Sequence, residues 1–129
     1  LSHDLLEKAG MLGTPRDLLE LPILSQGDPW WQLWLSMVGI SDPVSSTPSA
    51  RSMGPQVVEA GAAVAGHGVA MLTPAFFQSE LDRGALIQPF DQVGDDGSGY
   101  WLVYPESRRK AVKIKKFRSW IEKETASFR

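Results

Sequence analysis

The sequence contains no cysteine. That single absence excludes disulfide staples, thiolate metal sites and thiol nucleophiles together, and it leans mildly toward a cytosolic setting. Histidine is nearly absent too: His3 and His67 are the only two, and nothing in their spacing joins them to a carboxylate as a metal site would require. No apolar run approaches the roughly 20 residues that span a bilayer. The opening LSHDLLEKAG has no basic stretch followed by an apolar one, so it does not read as a secretory signal. It also lacks an initiator methionine, and the chain reads as a piece of something longer. There is no Gly-x-Ser-x-Gly elbow, and Asp95 and Asp96 sit in a glycine-rich turn where aspartate is simply a good turn former. No catalytic constellation emerges, and none of these residues implies a cofactor.

What is present is enough for one compact domain. The 129 residues are 43% hydrophobic and 22% charged, a globular rather than a disordered balance. The net charge is only −2, yet nine of the 13 Lys and Arg residues lie from Pro105 onward, against three glutamates there. A basic end on an otherwise acidic chain raises the prospect of a nucleic-acid or acidic-partner surface. No recognition-helix pattern accompanies it, so nonspecific attraction is the only form of DNA binding it would support.

Along the chain, helical and extended patterns alternate. Residues 3–9 fit a short helix. In GTPRDLLEL, Thr14 can cap, Pro15 suits the first helical position and Asp17 can close a capping box. PILS (22–25) is a short extended run. Asp28 and Pro29 open a helix over 30–39, where Trp30, Trp31, Trp34, Leu35 and Val38 recur at helical spacing and Gly39 suits the C-terminal end. That spacing marks the tryptophans as core or interface rather than a ligand cage. The serine- and proline-rich 40–50 reads as a loop, followed by a short strand at 49–53. Gly54 and Pro55 then lead into a helix, QVVEAGAAVAG. GVAML (68–72) has the character of a buried strand, PAFFQSELDRG (74–84) of a helix from Pro to Gly, ALIQPF (85–90) of an extended run, and DQVGDDGSG (91–99) of a loop. YWLVYP (100–105) is the clearest strand by composition. A helix over 108–126 would place Ile114, Phe117, Trp120 and Ile121, with Phe128 beyond, on one side. This alternation predicts an α/β architecture with a parallel or mixed sheet.

AGHGVAML holds a Gly-x-Gly step, which invites a phosphate-loop reading. The order of elements argues against it. A phosphate loop runs from strand through glycines into a helix N-terminus, where N–H groups converge. Here a helix comes first, so the glycines fall at its carbonyl-rich C-terminus, which repels phosphate. Gly66 reads as the left-handed residue ending the helix, Gly68 as the residue that admits a tight entry to the next segment, and His67 as a solvent-facing residue between them.

In order, TPRDLLELPIL, WWQLWLSMVGI, VVEAGAAVAGHGVAMLTPAFFQSELDRGALIQPF and YWLVYPESRRKAVKIKKFRSWI cover almost the whole chain. This succession resembles the C-terminal part of the effector-binding domain of LysR-type transcriptional regulators, in the branch of the glycine-cleavage and β-lactamase activators. The resemblance implies a periplasmic-binding-protein-like (type 2) subdomain, a mixed sheet flanked by helices. Residues 1–104 would form most of the second subdomain, and 105–129 a crossover and a C-terminal helix that packs on the first. The family's winged helix-turn-helix, which contacts promoter DNA, has no counterpart in these residues. Nor does the first half of the effector domain, so self-association into a dimer or higher oligomer is expected.

The resemblance also places a small-molecule effector between the subdomains. On this half it points to the strand end and helix start at Ser52, Met53, Gly54, Pro55 and Gln56. A helix start favours an anionic group such as a carboxylate, although Pro55 removes one donor. Thr73, ending GVAML, and Tyr100, opening YWLVYP, would add a hydroxyl and an aromatic wall. The expected protein is thus a cytoplasmic bacterial sensor module and not an enzyme or membrane protein. A transport solute-binding protein of the same fold is the alternative.

Overall fold

The computed structural model describes residues 1–41 and 53–126. Ser52 and the strand expected at 49–53 therefore lie outside the described residues, apart from Met53, and so does Phe128. The chain divides into two compact units, Leu1–Asp96 and Gly97–Arg129.

In the first unit Asp17 and Asp28 act at helix starts as expected, and Ser2 adds a cap beyond those expected from the sequence. Helix α1, His3–Ala9, begins where the Ser2 hydroxyl accepts the Leu5 N–H at 3.2 Å. The segment Pro15–Glu20 forms a 3-10 helix. The Asp17 carboxylate closes it by accepting the N–H groups of Gly13 and Thr14, each at 2.8 Å. Helix α2, Pro29–Met37, starts at Asp28, whose carboxylate accepts the Trp30 N–H at 2.9 Å. It ends in a Schellman turn. Gly39, at φ +77°, donates to Ser36 O, and Ile40 donates to Leu35 O at 2.8 Å.

Helix α3, Gln56–Val64, ends in the same way. Gly66, at φ +80°, donates to Ala63 O and His67 to Ala62 O. The Gly-His-Gly step is therefore a helix terminus, and His67 is exposed. Gly68 has a separate reason to be glycine. A Cβ there would stand 2.5 Å from the Pro22 carbonyl oxygen.

That close approach lets two extended segments pair. Ile23 and Val69 form a parallel bridge, with Leu24 N–H on Val69 O and Val69 N–H on Pro22 O, both at 2.8 Å. Side chains along the two segments alternate between two cores. Leu21, Ile23, Val69 and Met71 join a cluster with Leu1, Leu18, Trp31, Trp34, Leu35 and Ile40. Leu24, Ala70 and Leu72 join a second cluster with Ala60, Ala63, Phe77 and Leu86. A period of two is what extended backbone imposes. The first core takes residues from α1, the 3-10 helix and α2, the second from α3 and the segment after it. Two extended segments thus lie between two helical layers, which is the α/β logic of the sequence in miniature.

Other expectations are corrected. Among the described residues there is no strand ladder, only this isolated bridge. Among the described residues the strand expected over 68–72 is reduced to the bridge at Val69. The strand expected over 100–105 is not formed either: aromatic and β-branched composition favours extended backbone, but a strand exists only where a neighbour accepts and donates along it. The single helix expected over 74–84 is split into a 3-10 turn, Pro74–Phe76, and α4, Gln78–Asp82, broken at Phe77 with φ −124° and ψ 25°.

The second unit holds a 3-10 turn, Glu106–Arg108, and helix α5, Val112–Glu124, which starts four residues later than the 108–126 expected. Phe117 and Trp120 pack on each other with ring centroids 5.5 Å apart. Leu102, Val103, Tyr104, Ile114 and Phe117 line a shallow apolar groove beside Lys113. No helix among the described residues is long and apolar enough to cross a membrane.

Candidate functional site at the start of α3

The first turn of α3 is where several expected residues meet. Pro55 stands at the cap, has no N–H and offers no capping side chain. The N–H groups of Gln56 and Val57 have no carbonyl one turn back to bind, so they point out of the helix as at any N-terminus. The positive end of the peptide dipoles adds to them. Gly54, just before, is at φ +88°, a backbone shape that side chains rarely adopt.

Gln56 reaches from α3 to the segment leaving the bridge at Val69. Its Oε1 accepts the Thr73 N–H at 2.9 Å, and its Nε2 donates to Thr73 Oγ1 at 3.2 Å. Gln56 and Thr73, singled out separately in the sequence, form one two-point clamp. The clamp occupies the Thr73 N–H and one Gln56 amide proton. What stays available is the second lone pair of each oxygen, the Thr73 hydroxyl proton and the second Gln56 amide proton. Met53 is anchored by its backbone, whose N–H donates to Ser25 Oγ at 2.8 Å. Tyr100 belongs to the second unit and is largely exposed.

Two residues here were not legible in the sequence. Ser25 is buried and is the one non-glycine residue at positive φ, +50°, among the described residues. Glu59 is 2% exposed, on the same stripe of α3 as the buried Ala60 and Ala63. The Ser25 hydroxyl donates to Glu59 Oε1 at 2.5 Å, while Oε2 is buried without a partner. Burial raises the Glu59 pKa above its ordinary value. The Ser25 hydrogen bond pulls the other way, and the charge of Asp28 adds to the rise. A glutamate at the core-facing position of an otherwise small, apolar helix face is the signal that would have found it.

With that geometry in place, comparison with known proteins becomes informative. Over 114 residues the chain is 32% identical to the HTH-type transcriptional activator AmpR of Citrobacter freundii, covering 88% of this chain and 38% of that protein. It is 32% identical over 113 residues to the glycine cleavage system transcriptional activator of Escherichia coli K12, covering 85% and 36%. The HTH-type transcriptional regulator BlaA of Proteus vulgaris is 29% identical over 119 residues, covering 92% and 39%. The chain is a homologue of LysR-type transcriptional regulators. It spans a little over a third of the length of these LysR-type relatives. No family model matches the sequence, and no solved structure does. LysR-type homology implies the type 2 periplasmic-binding-protein-like fold at the level of the family.

Among the described residues, the other acidic and histidine side chains form no comparable site. His3, Asp4 and Glu7 cluster on one exposed turn of α1, where His3 Nδ1 lies 3.4 Å from Glu7 Oε1, an ordinary surface i,i+4 pair.

Proposed function

We propose that this chain is the effector-sensing and oligomerisation part of a LysR-type transcriptional regulator. In this reading residues 1–104 are most of the second subdomain of the effector domain, and 105–129 are the crossover and C-terminal helix that pack on the first. The Ile23–Val69 bridge is then the seed of a mixed sheet flanked by helices. The effector is a small anionic metabolite, held at the start of α3 by Met53, Gly54, Gln56 and Thr73. Regulation follows if the effector binds the open and closed arrangements of the subdomains unequally. Dimers then repack, and promoter DNA is read by a winged helix-turn-helix outside these residues. The module acts in the cytoplasm and catalyses no reaction.

The observation that carries this reading is the Gln56–Thr73 clamp beside a helix start whose cap residue is proline, in a chain whose relatives are named transcriptional activators. Those names favour regulation over transport. Calorimetric titration with a panel of small mono- and dicarboxylates tests it. The expected result is saturable binding, weakened at least about tenfold by Gln56→Ala, a loss of about 1.4 kcal/mol, with the ligand recovered unchanged. Absence of binding across the panel, or conversion of the ligand, would contradict it.

A further inference from the structure

We propose that Glu59 is the positioning residue of the α3 site: through the Ser25 hydroxyl it fixes the backbone of Met53 at the entry to the helix, and it carries a proton while doing so. The significance of this arrangement for an anionic ligand rests on the function proposed above.

The arrangement is a three-part relay. Met53 N–H donates to Ser25 Oγ at 2.8 Å, and the Ser25 hydroxyl donates onward to Glu59 Oε1 at 2.5 Å. Both of its inner members are buried, Ser25 to 4% exposure and Glu59 to 2%. Ser25 is held in the left-handed region at φ +50°, which costs free energy for a residue with a Cβ and persists only where surrounding bonds over-determine it. Those bonds are present. In addition to the two at its hydroxyl, the Ser25 carbonyl accepts the Asp28 N–H at 2.8 Å. The strained serine thus ties three places together: the cap of α2, the first turn of α3 and the segment entering α3.

The protonation state follows from the surroundings of the carboxyl group. An ionised carboxylate taken out of water needs a cation or several donors. Glu59 has one donor, Ser25, and its Oε2 has none. The other titratable group acting on it is Asp28, the cap of α2, whose negative charge opposes ionisation, and no described cation offsets it. The neutral acid is the form this pocket tolerates. Neutrality also suits the proposed site: a carboxylate in the first turn would set its charge against an incoming anion, whereas the acid leaves the helix start positive.

The test needs no effector, so its failure and that of the effector reading are separate results. Glutamate side-chain carboxyls are labelled with ¹³C in the 129-residue chain and titrated by NMR, with Glu59 assigned by its absence in Glu59→Gln. Hydrogen exchange of the Met53 amide is followed in the native chain, Glu59→Gln and Ser25→Ala. Glu59 is expected to titrate clearly above the other glutamates. The Met53 amide is expected to be protected in the native chain and in Glu59→Gln, whose amide oxygen still accepts from Ser25, and to exchange at least about tenfold faster in Ser25→Ala. Titration of Glu59 together with the other glutamates would overturn the proposal and requires no variant beyond the assignment. Met53 protection that survives Ser25→Ala would overturn it as well.

Discussion

The two units of this chain each hold six aromatic residues, although the second is about a third as long, and their tryptophans are used in opposite ways. In Leu1–Asp96, Trp31 and Trp34 pack edge to face at 6.4 Å, and their ring N–H groups are satisfied by Leu24 O and Gln92 O. In Gly97–Arg129, Trp101 is 86% exposed and Trp120 51%. The difference teaches that aromatic content does not make a core. What makes one in the first unit is helical spacing on α2 facing two extended segments that themselves alternate. In the second unit α5 carries a comparable apolar stripe with charged neighbours, but it is only partly covered, and Phe117 and Trp120 stay about half exposed.

The sharpest way to break this comparison is to remove its centre. Leu35 is fully buried, so Leu35→Ala is expected to cost about 2–5 kcal/mol in denaturant unfolding. A cost below about 1 kcal/mol would mean that the α2 core is not the one described. Next in size is Gly68→Ala. A Cβ set against the Pro22 carbonyl must push the bridge apart, for a loss of about 1–3 kcal/mol in the same measurement. Asp28→Ala removes the α2 cap and should cost about 1 kcal/mol.

The Asp17 prediction concerns pH. The backbone N–H of Thr14, with that of Gly13, holds the Asp17 carboxyl below its ordinary value of 3.8. A group whose folded pKa is lowered contributes stability above its unfolded value and loses it as pH falls through the folded one. Thermal unfolding in the acid range should therefore show a loss in the native chain that is smaller in Asp17→Asn. Identical acid profiles would show that the carboxylate contributes nothing. Smallest of all is Trp120→Ala, expected to change stability by no more than about 0.5 kcal/mol. A loss as large as that of Leu35→Ala would erase the contrast between the two units.

How far the sequence could be read follows the range of the forces involved. Local chemistry was legible. Asp28, Asp17, Gly39 and Gly66 each act within a turn of their own position, and each stands where its residue type requires. The helical stripe on α2 was legible for the same reason. Pairing was not. Val69 finds a neighbour 46 positions away at Ile23, whereas the more β-prone Tyr100–Pro105 forms no strand, and composition cannot choose between them. The site was half legible. Gln56 and Thr73 were named for separate roles and turn out to hold each other. Ser25 and Glu59 were passed over because a serine in PILS and a glutamate in a helix are ordinary until the fold buries them.

The account rests most heavily on the start of α3 as a binding site, and amide NMR tests that directly. The ¹⁵N-labelled chain would be titrated with the same small carboxylates, following the backbone signals of Gln56, Val57 and Thr73. The account predicts shifts that saturate, centre on these three amides and disappear in Thr73→Val. Shifts that centre elsewhere, or persist unchanged in that variant, would contradict it.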